Sequence, residues 1–124
     1  MSVFEDQKKF MVACGQAVDG SNEPQYDMYC DLIKEEMQEL QDALDANDHV
    51  EQLDAMIDIL VVTIGAALSR GWDVESAWHE VMRTNFAKVD PTTGKVIRRE
   101  DGKILKPEGW KPPELAGFVY NKND

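Results

Sequence analysis

The chain has few of the residues on which many reaction centres depend: two cysteines, two histidines and 13 lysines and arginines, against 24 aspartates and glutamates in 124 residues. Two cysteines, Cys14 and Cys30, make neither a disulfide framework nor a zinc-type spacing. They are read as small apolar residues buried in helices. Neither His49 nor His79 has a glutamate three residues before it, which excludes the Glu-x-x-His repeat of di-iron bundles. His49 is expected at the tip of an inter-helix turn, and His79 beside Trp78. There is no glycine-rich phosphate loop, no nucleophile elbow and no internal repeat. A net charge of −11 and a pI near 4.5 repel nucleic acid and anionic membrane surfaces, so no nucleic-acid partner is expected. No apolar run reaches the roughly 20 residues that span a bilayer. Glu5 and Asp6 stand where a signal sequence would be basic. The expectation is a cytosolic (cytoplasmic) protein without membrane contact.

What the chain does have is helical periodicity over its first three quarters. A first helix is predicted from Phe4 to Val18, with Phe10, Cys14, Ala17 and Val18 inward and a stop at Asp19-Gly20. After a loop over Ser21 to Glu23, Pro24 suits the first position of a helix running to about Asn47. Asp45 to Asp48 form the turn. A third helix extends from His49 to Arg70 and stops at Gly71, and Asp73 caps a fourth carrying Val74, Ala77, Trp78, Val81, Met82 and Phe86. Four helices with short connections make an all-α four-helix bundle. A domain of this size buries only a modest core, so pairing with another copy, as homodimer or homotetramer, is expected.

From Asp90 onward helical periodicity disappears, and Pro91, Gly94, Gly102, Pro107, Gly109, Pro112, Pro113 and Gly117 punctuate the chain. Residues 1–90 are read as the helical bundle and 91–124 as an irregular tail of the same single domain. Lys95 to Glu100 and Lys103 to Lys106 flank Asp101-Gly102, a good two-residue turn, which predicts a small β-hairpin. Lys95, Arg98, Arg99, Lys103, Lys106 and Lys111 make the tail the basic part of an acidic protein, suited to anionic phosphates.

The second and third helices carry acids where their apolar pattern should continue. At about 100° per residue, Tyr29, Leu32, Ile33, Met37, Leu40 and Leu44 form one arc, and Glu36 falls inside it. Glu39 lies at its edge and Glu35 points further out. In the third helix the predicted core arc is Val50, Leu53, Ile57, Leu60, Val61, Ile64 and Leu68. Beside it Glu51, Asp54, Asp58 and Gly65 share a stripe roughly 60° wide, in which the glycine leaves space above the acids. Asp58 is the only ionisable group between Asp54 and Arg70. Buried without compensation, its charge would cost several kcal/mol. The two segments contain one cation, Lys34, so the charge balance favours a hard divalent ion. Oxygen ligands without cysteine or histidine suit magnesium or manganese, which also bind substrate phosphates. Such a cluster is the usual apparatus for attack of water on a phosphoanhydride.

Glu35-Glu36-Met-Gln-Glu39, then Asp54-Ala-Met-Ile-Asp58 and the Gly65 spacing, resemble the MazG-like all-alpha nucleoside triphosphate pyrophosphohydrolases, related to dimeric dUTPases and phosphoribosyl-ATP pyrophosphohydrolase. Asn85-Phe-Ala-Lys88 and Asp101-Gly-Lys103-Ile-Leu-Lys106-Pro resemble signatures of the short, phage-like and bacterial branch. The likeness covers Tyr29 to Pro113. It implies the all-alpha NTP pyrophosphatase fold and magnesium-dependent cleavage of a nucleoside triphosphate to a monophosphate and pyrophosphate, with manganese able to substitute and nucleotide-pool house-cleaning as a role. Glu36, Glu39 and Asp58 match the metal-binding positions of that family. Glu51 and Asp54 meet its Glu-x-x-Asp spacing, while Asp54 and Asp58 are preferred as inner ligands with Glu51 as an outer or second-metal ligand. The resemblance leaves Glu35 or Glu39 to orient the attacking water, and Asn85, Lys88, Lys103 and Lys106 to hold phosphate or sugar oxygens. The alternative from another class is a non-enzymatic acidic bundle that binds metal or a protein partner. It predicts acids spread over the outside.

Overall fold

The computed structural model of the chain describes residues 2–119. Four main helices follow in order: α1 (Val3–Ala13), α2 (Glu23–Asp45), α3 (His49–Ser69) and α4 (Val74–Phe86). Each starts on a side chain that accepts a hydrogen bond from the first turn: Ser2 from Glu5 N, Asn22 from Gln25 N, Asp48 from Glu51 N and Asp73 from Ser76 N. The fold is all-α, as expected, with a small antiparallel ribbon after the helices.

The first helix is shorter than predicted. Gly15 takes a φ of +75°, and Gly15 N and Gln16 N close back on Val12 O and Met11 O at 3.0 and 2.9 Å. This is the left-handed glycine stop that Gly71 supplies to α3, but the apolar pattern continues past Gly15 and masks it. Val18 still packs against the core, from a loop. Phe10, expected inward, is 62% exposed, and Cys14, expected buried, is exposed at the helix end.

α2 and α3 form a long antiparallel pair whose seam is Gln25, Tyr29, Glu36 and Ala43 on one side and Ala55, Asp58, Val62, Gly65 and Ser69 on the other. Around the half of α3 nearer its C-terminus, Met11, Tyr29, Val62, Ile64, Ala66 and Leu68 form the core, closed by Phe4, Val18 and Val74. Gly65 lets the Tyr29 ring lie on the helix backbone: a Cβ there would stand 2.8 Å from Tyr29 Cδ1. The space above the acids is therefore filled by Tyr29, whose hydroxyl donates to Gln16 Oε1 at 2.5 Å. On the side of Tyr29 away from the acids, Gln25 Nε2 donates to Ser69 Oγ and to Ala17 O, each at 2.7 Å, satisfying a buried amide.

Of the seven residues expected to form the core arc of α3, two are inside and five, Val61 among them, are exposed. Ile64 and Leu68 are buried, but Val50, Leu53, Ile57 and Leu60 are 77, 61, 50 and 56% exposed. α1 and α4 join the core around the C-terminal half of α3, and among the described residues the N-terminal half packs mainly on α2, through the acid-bearing stripe instead of the apolar arc. Met37, Leu44, Trp78 and Phe86 are exposed as well, although Trp78 meets the Phe4 ring at 6.1 Å. By length and composition α3 would suffice to cross a membrane. The expectation that no run is long enough counted unbroken apolar residues, which Glu51, Asp54 and Asp58 interrupt.

The tail departs from its prediction in register. Strands β1 (Val89–Asp90) and β2 (Lys95–Val96) pair antiparallel around Pro91 to Gly94, where Asp90 Oδ1 accepts from Thr92 N at 2.8 Å and Gly94 takes a φ of +70°. The hairpin expected at Asp101-Gly102 is reduced to one bridge, Arg98 to Ile104, with Arg99 N donating to Lys103 O and Leu105 N to Ile97 O at 2.8 Å. The chain then runs back along α4. Trp110 Nε1 donates to Thr84 O, Glu114 N to Glu80 Oε2 and Asp73 N to Phe118 O, the last beside a short helix α5 (Ala116–Val119).

Candidate functional site

Midway along the seam, where α2 and α3 face each other below Tyr29, carboxylates take the place of apolar side chains. Glu36 and Glu39 are three residues apart on α2, so they share a face, and Asp58 answers them from α3. One carboxylate oxygen of each lies within 4.8 Å of the other two. Glu36 and Asp58 are half-buried and Glu39 is exposed at the mouth. Glu36 Oε2 is buried with no hydrogen-bond partner, the only such side-chain atom among the described residues. A buried acceptor that finds no donor is costly.

Electrostatics follow the geometry. The Glu36 carboxyl is pushed up to about 7, first by the hydrogen bond its protonated form shares with Glu39, then by burial, then by the charges of Glu39, Asp58 and Asp54. Asp58 is also raised, by burial first and then by Asp54 and Glu39. Among the described residues no ion pair reaches either carboxyl. The three ion pairs among the described residues belong to Arg70, Arg83 and Arg99, with Glu23, Glu80 and Asp101.

From the trio an open cleft of about 500 Å³ runs to the α2–α3 turn. Five acids line it, Glu39, Asp42, Asp48, Glu51 and Asp54, over Ala43, Ala46 and Ala55. Of the sequence candidates, the structure thus brings Glu36, Glu39 and Asp58 together, sets Asp54 beside them and Glu51 further along the cleft, and leaves Glu35 exposed outside the trio. Asp42 and Asp48 escaped the sequence reading because both look like ordinary solvated acids near a turn.

The basic candidates lie elsewhere in the chain fold. Asn85 is exposed at the end of α4 and accepts from Lys88 Nζ at 3.2 Å. Lys88 and Lys106 both lie over the Trp110 ring, 5.2 and 4.8 Å from its centre. Lys103 stays apart: its backbone N donates to Asp101 Oδ1 at 3.1 Å, while Asp101 pairs with Arg99. No hydrogen bond or ion pair joins these groups to the acid trio among the described residues.

Clustered carboxylates with an unsatisfied buried oxygen and no internal cation suit a hard divalent ion. No curated protein matches the chain. The family model described as phosphoribosyl-ATP pyrophosphohydrolase matches residues 13–85, which include every acid of the trio and its cleft. The match spans more than half of the chain, which therefore belongs to the phosphoribosyl-ATP pyrophosphohydrolase family, in the MazG-like all-alpha superfamily of hydrolases that act on nucleotide phosphoanhydride bonds.

Proposed function

We propose that this protein is a magnesium-dependent pyrophosphohydrolase that cleaves a nucleoside triphosphate between its α and β phosphates, releasing a monophosphate and pyrophosphate. Manganese can take the place of magnesium. The observation that carries this reading is Glu36 Oε2, buried and unpartnered between Glu39 and Asp58. Glu36 and Asp58, drawn against Glu39 at a helix seam, hold their protons more tightly than free carboxyls, and a divalent ion relieves that repulsion while satisfying the orphaned oxygen. The donor set is all oxygen, which fits magnesium and manganese.

Glu36, Glu39 and Asp58 hold the ion, with Asp54 alongside and Glu51 for a second ion in the cleft. When bound, such an ion neutralises phosphate oxygens and lowers the pKa of its water. Between the two glutamates left open for orienting the attacking water, the geometry favours Glu39, because it faces the cleft and Glu35 does not. Asn85, Lys88, Lys103 and Lys106 hold phosphate or sugar oxygens. A second copy of the chain covers Val50, Leu53, Ile57 and Leu60, which lie exposed along one side of α3. Burial of that face beside the acid stripe also closes one wall of the site.

Product analysis tests the reaction. Anion-exchange chromatography after incubation of a nucleoside triphosphate with magnesium is expected to show a monophosphate and pyrophosphate in equal amounts. A diphosphate with inorganic phosphate would contradict the cleavage position.

A further inference from the structure

Two separate stretches of chain meet at the C-terminal end of α4, and the meeting point is Trp110. Its Nε1 donates to Thr84 O at 2.7 Å. Thr84 lies two residues before the helix ends, so its carbonyl is among those a helix leaves without an internal partner. That bond hangs the half-buried indole on the helix end. Lys88, from the residues just past α4, and Lys106, from the tail, then each set an ammonium group over the ring. Lys88 is further fixed by Asn85 Oδ1.

Among the described residues neither ammonium group has a carboxylate, although the chain carries 24 acids for 13 bases. The ion pairs among the described residues are made by arginines, and Lys88 and Lys106 have only the ring and Asn85. Two like charges gathered on one ring repel each other. The π face offsets part of that repulsion, and a bridging anion offsets the rest. The ring also fixes two long side chains that would otherwise lose rotamer freedom on binding.

We propose that Trp110 is a positioning residue for phosphate capture, an indole hung from the end of α4 that holds Lys88 and Lys106 as a pair to clasp phosphate groups. The anion is the polyphosphate of the nucleotide or the pyrophosphate released from it. This deepens the proposed reaction and takes the identity of the anion from that reading. The two lysines are already read as phosphate-holding in the proposed function; the contacts add Trp110, which lies outside the family match at 13–85, as the residue that positions them.

The test titrates inorganic pyrophosphate, and separately ATP, into the full chain by calorimetry without divalent metal, then measures steady-state kinetics with magnesium. Trp110→Leu is expected to weaken pyrophosphate binding and raise KM about tenfold, with kcat within about twofold. Lys106→Met should do the same. Their combination should cost little more than either change, because both break one clasp. Trp110→Phe keeps a π face without the Nε1 donor and should fall between. Lys95→Met, a tail lysine outside the clasp, is the control for charge. Equal effects of Lys95→Met and Lys106→Met, a loss confined to kcat, or full additivity of the two changes would overturn the proposal. The melting temperature of Lys106→Met separates loss of binding from loss of fold. Pyrophosphate binding retained in Asp58→Asn and lost in Trp110→Leu would uphold the clasp even if no nucleotide were turned over. Turnover indifferent to Trp110 would end the clasp and leave the reaction standing.

Discussion

Replacing Glu36 with glutamine should stabilise the metal-free protein, and the gain should grow with pH. The folded state raises the Glu36 carboxyl from 4.5 to about 7. Below pH 4.5 the group carries its proton in both folded and unfolded chains, so it contributes nothing to the difference. As pH rises from there to about 7, the unfolded chain ionises while the folded chain keeps the proton, and stability is lost. Above that range the penalty is constant. At 1.36 kcal/mol per pK unit the full shift corresponds to about 3 kcal/mol, and solvent around a half-buried carboxyl reduces it to about 1–2 kcal/mol. Glutamine has nearly the same shape and cannot ionise, and its amide N–H can donate to the Glu39 or Asp58 carboxylate, which an ionised Glu36 cannot do. Glu36→Gln in a chelator should therefore melt roughly 4–8 °C above the parent at about pH 8 and within about 1 °C of it at about pH 4. Scanning calorimetry at the two pH values reads this directly. A variant that melts lower than the parent at about pH 8 would refute the reasoning, because it would mean that Glu36 is held by a cation of the chain and that its charge stabilises the fold.

The other predictions concern the seam, the tail and the exposed face of α3. Gly65→Ala should destabilise by about 1–3 kcal/mol, since a methyl group cannot share the space of the Tyr29 ring; denaturant unfolding that shows no loss would show that the ring moves aside freely. Glu80 is held down to about 2, first by its hydrogen bonds with Arg83 and then by Glu114 N, so its grip on the tail is present above pH 4.5 and fades as pH falls toward 2. Glu80→Gln should accordingly speed amide exchange at Glu114 at neutral pH, and unchanged exchange would remove Glu80 as an anchor. Leu53→Glu with Ile57→Lys should shift the protein toward monomer in sedimentation velocity, whereas a parent already monomeric at working concentration would contradict the covered face.

Much of the architecture was readable in the sequence because the signals were local. Pro24, Asp73 and Gly71 mark helix ends by their own backbone preferences, and acids interrupting a 3.6-residue period placed Glu36 and Asp58 inward without any knowledge of the partner helix. What periodicity does not give is which side of an apolar helix its neighbour takes. α3 is apolar over most of its circumference, and the choice of the Ala55, Asp58, Val62, Gly65 side for α2 depends on Tyr29 fitting a glycine 36 positions away. The left-handed stop at Gly15 was hidden by apolar residues around it. In the tail, the Asp90 to Gly94 turn competed with Asp101-Gly102 for the ribbon and took the paired strands. Trp110 is 26 residues from the carbonyl that holds it, a contact for which no local pattern exists. The family resemblance rested on the same acids, and the match to phosphoribosyl-ATP pyrophosphohydrolase agrees with it over residues 13–85.

The central claim is that the acids at the α2–α3 seam hold a divalent ion for pyrophosphate release. The most direct measurement is pyrophosphate production from a panel of nucleoside triphosphates, with magnesium or manganese and with a chelator, for the parent and Asp58→Asn. Release that requires the metal and is lost in Asp58→Asn, with melting temperature maintained, is the predicted result. Release that continues in Asp58→Asn, or no release from any nucleotide while calorimetry shows the metal bound, would contradict it.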